Sequence, residues 1–313
     1  MEKMISNILF TKNRPLQLEG YLQSLYRHFP VELIQTYIIY KVELFRDEYE
    51  SLFQKYSNCT VIEENDFHSD CVKVISQANT KYIMFGIDDV VFFDSVDIDL
   101  IDQTFREHEN DIFGFTLRFS PESLENSKDV INEVVVDNHK VYSLNWKNGQ
   151  TAHTRYPFEL CCTIYQTETV NKIINSVMNN NPIIRKIFSP DGLIIKGLRA
   201  TKFARKILKS FGYFFSPNTL ESWNCRWCQN HGDQLPSFTY FQKLCATAIQ
   251  VNMVNTSTNN TLDEAAEHTV EALNDKYKQG YRLDIDFLAD NKPTGPSCER
   301  EHFKLIECRQ EIN

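Results

Sequence analysis

No stretch of the 313-residue chain holds the roughly 18 consecutive apolar residues needed to cross a bilayer. The opening MEKMISNILFTKNRP also lacks the long apolar region and small-residue cleavage site of a secretory signal, so a cytoplasmic protein is expected. Cysteine lacks a framework: nine is an odd number and the spacing is scattered, which predicts reduced, mostly buried thiols. Positive charge is in deficit. A net charge of −9 excludes general affinity for nucleic acid, whose phosphates an acidic surface repels. There is no internal repeat and no low-complexity tract.

What is present is the composition of an ordered globular protein, with 42% hydrophobic and 12% aromatic residues against 24% charged. Such a length can bury a sizeable core. The expected organisation is one catalytic domain over residues 1–235 with a C-terminal strand and helix extension, 236–313, packing on it. Charge is uneven: between Pro182 and Phe211 the chain carries +7, which leaves −16 elsewhere.

Ile5 to Phe10 is a short apolar run closed by the polar cluster Thr11 to Pro15, which reads as a buried strand and a loop. Leu18, Tyr21, Leu22 and Leu25 then recur at helical spacing. Strands are predicted at 36–40, 59–62 and 81–85, and helices at 44–56 and 67–78. Four strands alternating with three helices predict an α/β fold, a mostly parallel sheet covered on both faces. In such sheets ligands bind at the carboxyl ends of the strands. Further along, a strand is expected at 90–93, a helix at 98–108 and a strand at 112–119. A polar, weakly periodic stretch covers 120–154. After it come a strand at 156–166, a helix at 168–178, a late strand at 246–254, a helix at 262–277 and a last strand at 303–308.

The string YIMFGIDDVVFF delivers two adjacent acids, Asp88 and Asp89, from an apolar strand into a loop. Two carboxylates there can hold a divalent ion such as Mg²⁺ or Mn²⁺, whose remaining positions are filled by diphosphate oxygens. Acids after a strand also serve as caps or simply face water. With ILFTKNRPLQLEGYLQSLYRHF at the start and three more strands before the acids, the chain resembles GT-A glycosyltransferases, particularly family-two-like members. The likeness covers residues 5 to 230 at the level of motif order.

The resemblance implies a Rossmann-like GT-A fold, a nucleotide-sugar donor, a divalent metal ion, and a glycan or lipid-linked glycan as acceptor. Laid over the family's three acids, GIDDV places Ile87 where the first acid stands. Asp89 would then be a metal ligand, and Asp88 would serve the ribose or the metal. Thr11 and Arg14, in the loop after the first strand, would meet the nucleotide, an Arg fork suiting phosphate oxygens. Equally, Asn13, Arg14 and Pro15 could simply start a helix. Asp66 is a further nucleotide-binding candidate.

An inverting transfer needs a carboxylate to take the acceptor's proton. The resemblance points to the loop FFSPNTLESWNC, whose only acid is Glu221, with Trp223 as an apolar platform for a sugar. Glu159 and Asp191 are the alternatives. Asn252, at the end of a predicted strand, could meet sugar hydroxyls. Cys225, Cys228 and His231, with Cys245, have spacings that could hold zinc, but a second close pair is missing and buried thiols explain them better. His268 reads as a solvated helix residue. Over 198–211, apolar residues share one helical face and Arg or Lys occupy the rest, which suits either an anionic membrane surface or packing on the domain. A nucleotidyltransferase, usually marked by a glycine-rich loop that TKNRPLQ lacks, and a non-catalytic glycan-binding protein are the competing functions.

Overall fold

The computed structural model describes residues 2–178, 212–231, 235–254 and 266–308. The basic stretch 198–211 and Asp191 lie outside the described residues. Strand β1 (Ile5–Lys12) leads into helix α1 (Pro15–His28). The alternation continues through β2 (Ile34–Lys41), α2 (Arg46–Lys55), β3 (Thr60–Glu63), α3 (Phe67–Gln77) and β4 (Tyr82–Ile87). Next come β5 (Val90–Phe92), α4 (Ile98–Glu107), β6 (Ile112–Thr116), β7 (Ile131–Val136), β8 (His139–Asn145), β9 (Thr163–Gln166) and α5 (Thr167–Met178). Beyond residue 211 follow α6 (Pro217–His231), β10 (Ser237–Phe241), β11 (Ala246–Ile249) and α7 (Val270–Lys278). The described chain closes with β12 (Tyr281–Leu283), α8 (Ile285–Asp290), β13 (Ser297–Cys298) and β14 (Leu305–Glu307).

Nine strands form one sheet in the order β3-β2-β1-β4-β9-β6-β10-β8-β7. The pairings give seven of them one direction, with β9 and β8 running against the rest, so the α/β class with a mostly parallel sheet holds. The chain moves outward from β1 to β3 and then crosses back to β4 on the other side of β1. That reversal opens a crevice between the carboxyl ends of β1 and β4, where open α/β sheets bind ligands.

The strands alternate between two cores, as a doubly covered sheet requires. Ile5 and Leu9 of β1 pack with Leu18, Tyr21, Leu22 and Leu25 of α1 on one face. Ile8 and Phe10 pack with Phe67 and Val74 of α3 on the other. Pro15 fits the first turn of α1 because its missing N–H is an unpaired donor there in any case. Gly86 has a packing reason: a Cβ there would lie 2.3 Å from the Tyr21 hydroxyl, which donates to Asn7 at 2.9 Å. Gly86→Ala is expected to lower unfolding free energy by about 1–3 kcal/mol through overpacking. An unchanged urea midpoint would show that Tyr21 moves aside freely.

Several sequence expectations are corrected. The stretch 120–154 contains the hairpin β7–β8, whose two-residue turn Asp137–Asn138 has positive φ at both positions, the geometry hairpins favour. Strand β10, a run for which no strand was expected, enters the sheet between β6 and β8. The run expected as one strand over 156–166 is extended only from Thr163, and the residues before it form a rim loop. The late strand is short and pairs with β5 in a small separate sheet. His268 is enclosed rather than solvated, its ring edge-on to Phe303. Among the described residues no helix is long and apolar enough to cross a membrane.

Candidate active site

Asp88 and Asp89 form the turn between β4 and β5, at the crevice the topology opens. Because β1 and β4 are in register from Ile5↔Tyr82 to Phe10↔Ile87, Thr11 lies beside Asp88. The Thr11 hydroxyl donates to Asp88 Oδ2 at 2.7 Å, and the Arg14 guanidinium donates to Oδ1 at 2.8 Å. Tyr49 Oη completes the cradle, 2.8 Å from Thr11 Oγ1 and accepting from the Arg14 amide at 2.9 Å. Asn13 takes a positive φ of 52° and accepts from the Glu43 and Leu44 amides, which ties the loop after β1 to the loop after β2.

Both oxygens of Asp88 are therefore engaged, and its side chain is 4% exposed. Arg14 is buried as well, with Nη2 donating to the Asn252 carbonyl. Instead of reaching outward to phosphate, Arg14 ties β1, the acid turn and the C-terminal segment together. Asn252 is buried too: its side chain accepts from Gln17 at 3.2 Å and donates to the His268 carbonyl at 2.8 Å. In this arrangement its amide is engaged within the protein.

Asp89 differs. Its Oδ2 lies 3.6 Å from Arg14, and its Oδ1 is buried with no hydrogen-bond partner. Loss of solvent raises its pKa to about 6, a rise that Arg14 opposes and Asp88 reinforces. A buried carboxylate oxygen without a partner is costly unless something completes it. Among the described residues no three His, Cys, Asp or Glu side chains gather to cage a metal. The donor set does fit a cation of the Mg²⁺ or Mn²⁺ kind, which takes one or two carboxylates and completes its shell with substrate phosphates and water. Asp89 is the residue that would hold it. The Asp88 oxygens accept from Thr11 and Arg14.

The next strands along the rim bring a second group. Sheet order places β9 between β4 and β6, and β9 runs the opposite way, so the loop before β9 meets the ends of both neighbours. Arg118, just past β6, is buried, donates to the Pro296 carbonyl at 2.8 Å and is ion-paired with Glu159. The Thr163 hydroxyl donates to the other oxygen of Glu159. Both oxygens of Glu159 are therefore engaged. Glu221, in the second turn of α6, accepts from the Leu160 amide at 3.1 Å and is only partly buried. Desolvation raises its pKa to about 7, with the Glu159 charge adding to the rise.

Trp223 packs against the second core and carries Arg226 over its ring at 5.5 Å. Asp66 caps α3, accepting from the Ser69 amide at 3.1 Å, and also accepts from the Tyr213 hydroxyl at 2.7 Å. Asp66→Ala is expected to cost about 1 kcal/mol of stability, the usual value of such a cap. If Asp66 also holds the nucleotide, ligand affinity measured by calorimetry will fall with it; an unchanged affinity leaves the residue its capping role alone. Cys225 and Cys228 lie in the core beneath one face of the sheet and Cys245 in the core on the other, so these thiols do not converge on one ion.

Sequence reasoning missed Arg118, Tyr49 and Gln17. Arg118 and Tyr49 stand in no motif and reach the site only by strand order or helix packing, while Gln17, in the first turn of the helix after the Thr11–Pro15 loop, gives no local sign of its contact with Asn252. A cavity of about 860 Å³ lined by Met4, His28 and Val96 lies by the amino end of β1, away from this rim.

No family model matches the chain. It is 21% identical to the bifunctional glycosyltransferase pgtA of Dictyostelium discoideum over 219 residues, 63% of this chain and 28% of that protein. The chain thus spans under a third of that relative's length. Among solved structures it is similar to TarS of S. aureus, with a TM-score of 0.44 and 15% identity over 78% of this chain and 36% of that one. TarS 1-349 in complex with UDP gives a TM-score of 0.43 and 16% identity over 78% of this chain and 60% of that one. The mannosyltransferase PcManGT from Pyrobaculum calidifontis, in complex with GDP-Man and Mn²⁺, gives 0.30 and 10% over 40% and 38%.

Proposed function

We propose that this chain is a metal-dependent, inverting glycosyltransferase that moves a sugar from a nucleoside-diphosphate donor to a hydroxyl of a glycan or glycolipid. One observation carries the reading. A single rim of the sheet holds a carboxylate with an unpartnered oxygen, Asp89, and a carboxyl titrating near neutrality, Glu221. The first suits a diphosphate-bound cation and the second a proton acceptor. The sequence relationship to a glycosyltransferase supports the same class.

The acceptor oxygen attacks the anomeric carbon, the bond from that carbon to the diphosphate oxygen breaks, and the acceptor proton passes to Glu221. The nucleoside diphosphate leaves with the bonding electrons. A divalent ion at Asp89 would offset the negative charge gathering on that leaving group. Arg14, Thr11 and Tyr49 keep the acid turn in place by binding Asp88. Glu221 is preferred to Glu159 as the base because Arg118 and Thr163 each engage one of the Glu159 oxygens.

Thermal shift with UDP, GDP and dTDP, each with and without Mn²⁺, tests the reading, because a ligand selective for the folded state raises apparent stability. Metal-dependent stabilisation by at least one diphosphate is expected, and Asp89→Ala should abolish it. A response to nucleoside triphosphates alone would instead indicate nucleotidyl transfer.

A further inference from the structure

Glu221 is held by one described hydrogen bond, from the Leu160 amide, and the loop that presents this amide is unusually constrained. Cys162 has a φ of 64°, a conformation that a side-chain-bearing residue adopts only when its surroundings impose it. Its amide donates to the Phe85 carbonyl of β4 at 2.8 Å. The Glu159 amide donates to the Tyr165 hydroxyl at 2.9 Å, while the Glu159 side chain takes the Thr163 hydroxyl and the Arg118 guanidinium. Arg118 in turn reaches the Pro296 carbonyl, and its Nε is buried without a partner. A buried ion pair is seldom retained for stability alone, since well-packed apolar residues of the same volume often do as well.

We propose that Arg118 and Glu159 are a positioning pair: their ion pair fixes the 159–163 loop, and the loop holds the Leu160 amide on the Glu221 carboxylate. The pair also sets the charge that Glu221 feels. Among the described residues, the other ionisable groups facing Glu221 are Tyr156 and Cys161 from the loop before β9, Tyr165 on β9 and Cys225 one turn further along α6. Burial pushes all four pKa values up, so they are neutral at pH 7, and among the described residues that act on Glu221 only Glu159 and Arg118 remain charged. Glu159 raises the Glu221 pKa and Arg118 lowers it.

The consequence for catalysis rests on the reading of Glu221 as proton acceptor, so the test begins with a measurement that needs no turnover. Carbon NMR of carboxyl-labelled glutamates, with the Glu221 resonance assigned by its loss in Glu221→Gln, follows its ionisation directly. Glu159→Gln should lower the Glu221 midpoint by about one unit, because Arg118 is left without its counter-charge. Glu159→Asp, which keeps the charge, should hold the midpoint near the parent value. The acid limb of the transfer pH profile should move the same way. An unmoved Glu221 midpoint in folded Glu159→Gln overturns the proposal.

If the single variant does not fold, the neutral double variant Arg118→Gln with Glu159→Gln leaves no unpaired buried charge. In it, exchange of the Leu160 amide should be at least about tenfold faster, and parent-like protection would overturn the proposal. A shifted Glu221 in a protein that transfers no sugar would retain the positioning pair and remove the transferase reading. Ordinary transfer with an unshifted Glu221 would do the reverse.

Discussion

Glu221→Gln is expected to reduce sugar transfer by about 10²–10⁴-fold, the usual contribution of a positioned proton acceptor, while donor affinity is unchanged. The amide is nearly isosteric and can still accept from the Leu160 amide, so the loop should remain in place. It cannot take a proton. Desolvation places the carboxyl pKa at about 7, so the parent protein should gain activity as pH rises through that value. The variant should lose this limb. The folded protein holds the proton more tightly than a free Glu would, so the stability tied to this group is fully present below pH ~4.3 and is lost as pH rises through about 7. Glu221→Gln is expected to remove that loss, giving a protein that is more stable and less active at pH 8. Transfer within tenfold of the parent would remove Glu221 from the mechanism.

Adjacent acids are expected to respond in opposite directions. Asp88→Asn takes the charge from a buried pair and leaves Arg14, at 8% side-chain exposure, with only its longer 3.6 Å contact to Asp89. Such losses cost about 3–5 kcal/mol. Asp89→Asn removes a carboxylate that burial already disfavours, and its unpartnered Oδ1 no longer bears charge. With a folded pKa raised to about 6, the contribution of Asp89 to stability is complete below pH ~3.9 and lost as pH climbs through about 6. At pH 7.5 the Asp89→Asn protein should therefore be more stable by an amount on the order of 1–3 kcal/mol, at about 1.4 kcal/mol per pKa unit. It should nonetheless fail to bind diphosphate with metal. Chemical denaturation of both variants at pH 5 and pH 7.5 checks the pair. Equal losses at both positions would show that the two acids share one role.

The first half of the fold was legible because its signals are local. Apolar runs of strand length alternate with helical periodicity from Ile5 to Ile87, and the acids directly follow the last run. The hairpin β7–β8 was harder, since its outer strand is half-exposed and its apolar residues do not alternate cleanly with polar ones. Strand β10 gave no topological clue, because a strand inserted between β6 and β8 looks like any other short aromatic run. The loop 156–162 reads as a strand because it is apolar, yet its residues are buried by packing on the rim of the sheet. The family resemblance implies Thr11, Arg14 and Asp88 as nucleotide contacts. Their mutual hydrogen bonds, which turn them inward, follow from the β1–β4 register.

By itself the sequence determined the α/β class, the order of the first strands, and the emergence of Asp88 and Asp89 at the end of one of them. These are consequences of periodicity and of chemistry between near neighbours in the chain. Tertiary structure decided which of the two acids keeps an open oxygen, and that Arg118 and Thr163 engage Glu159 while Glu221 accepts from the Leu160 amide. Those outcomes depend on strand order, on the direction of β9 and on desolvation, and each arises only when residues distant in sequence are brought within a few ångströms and water is excluded.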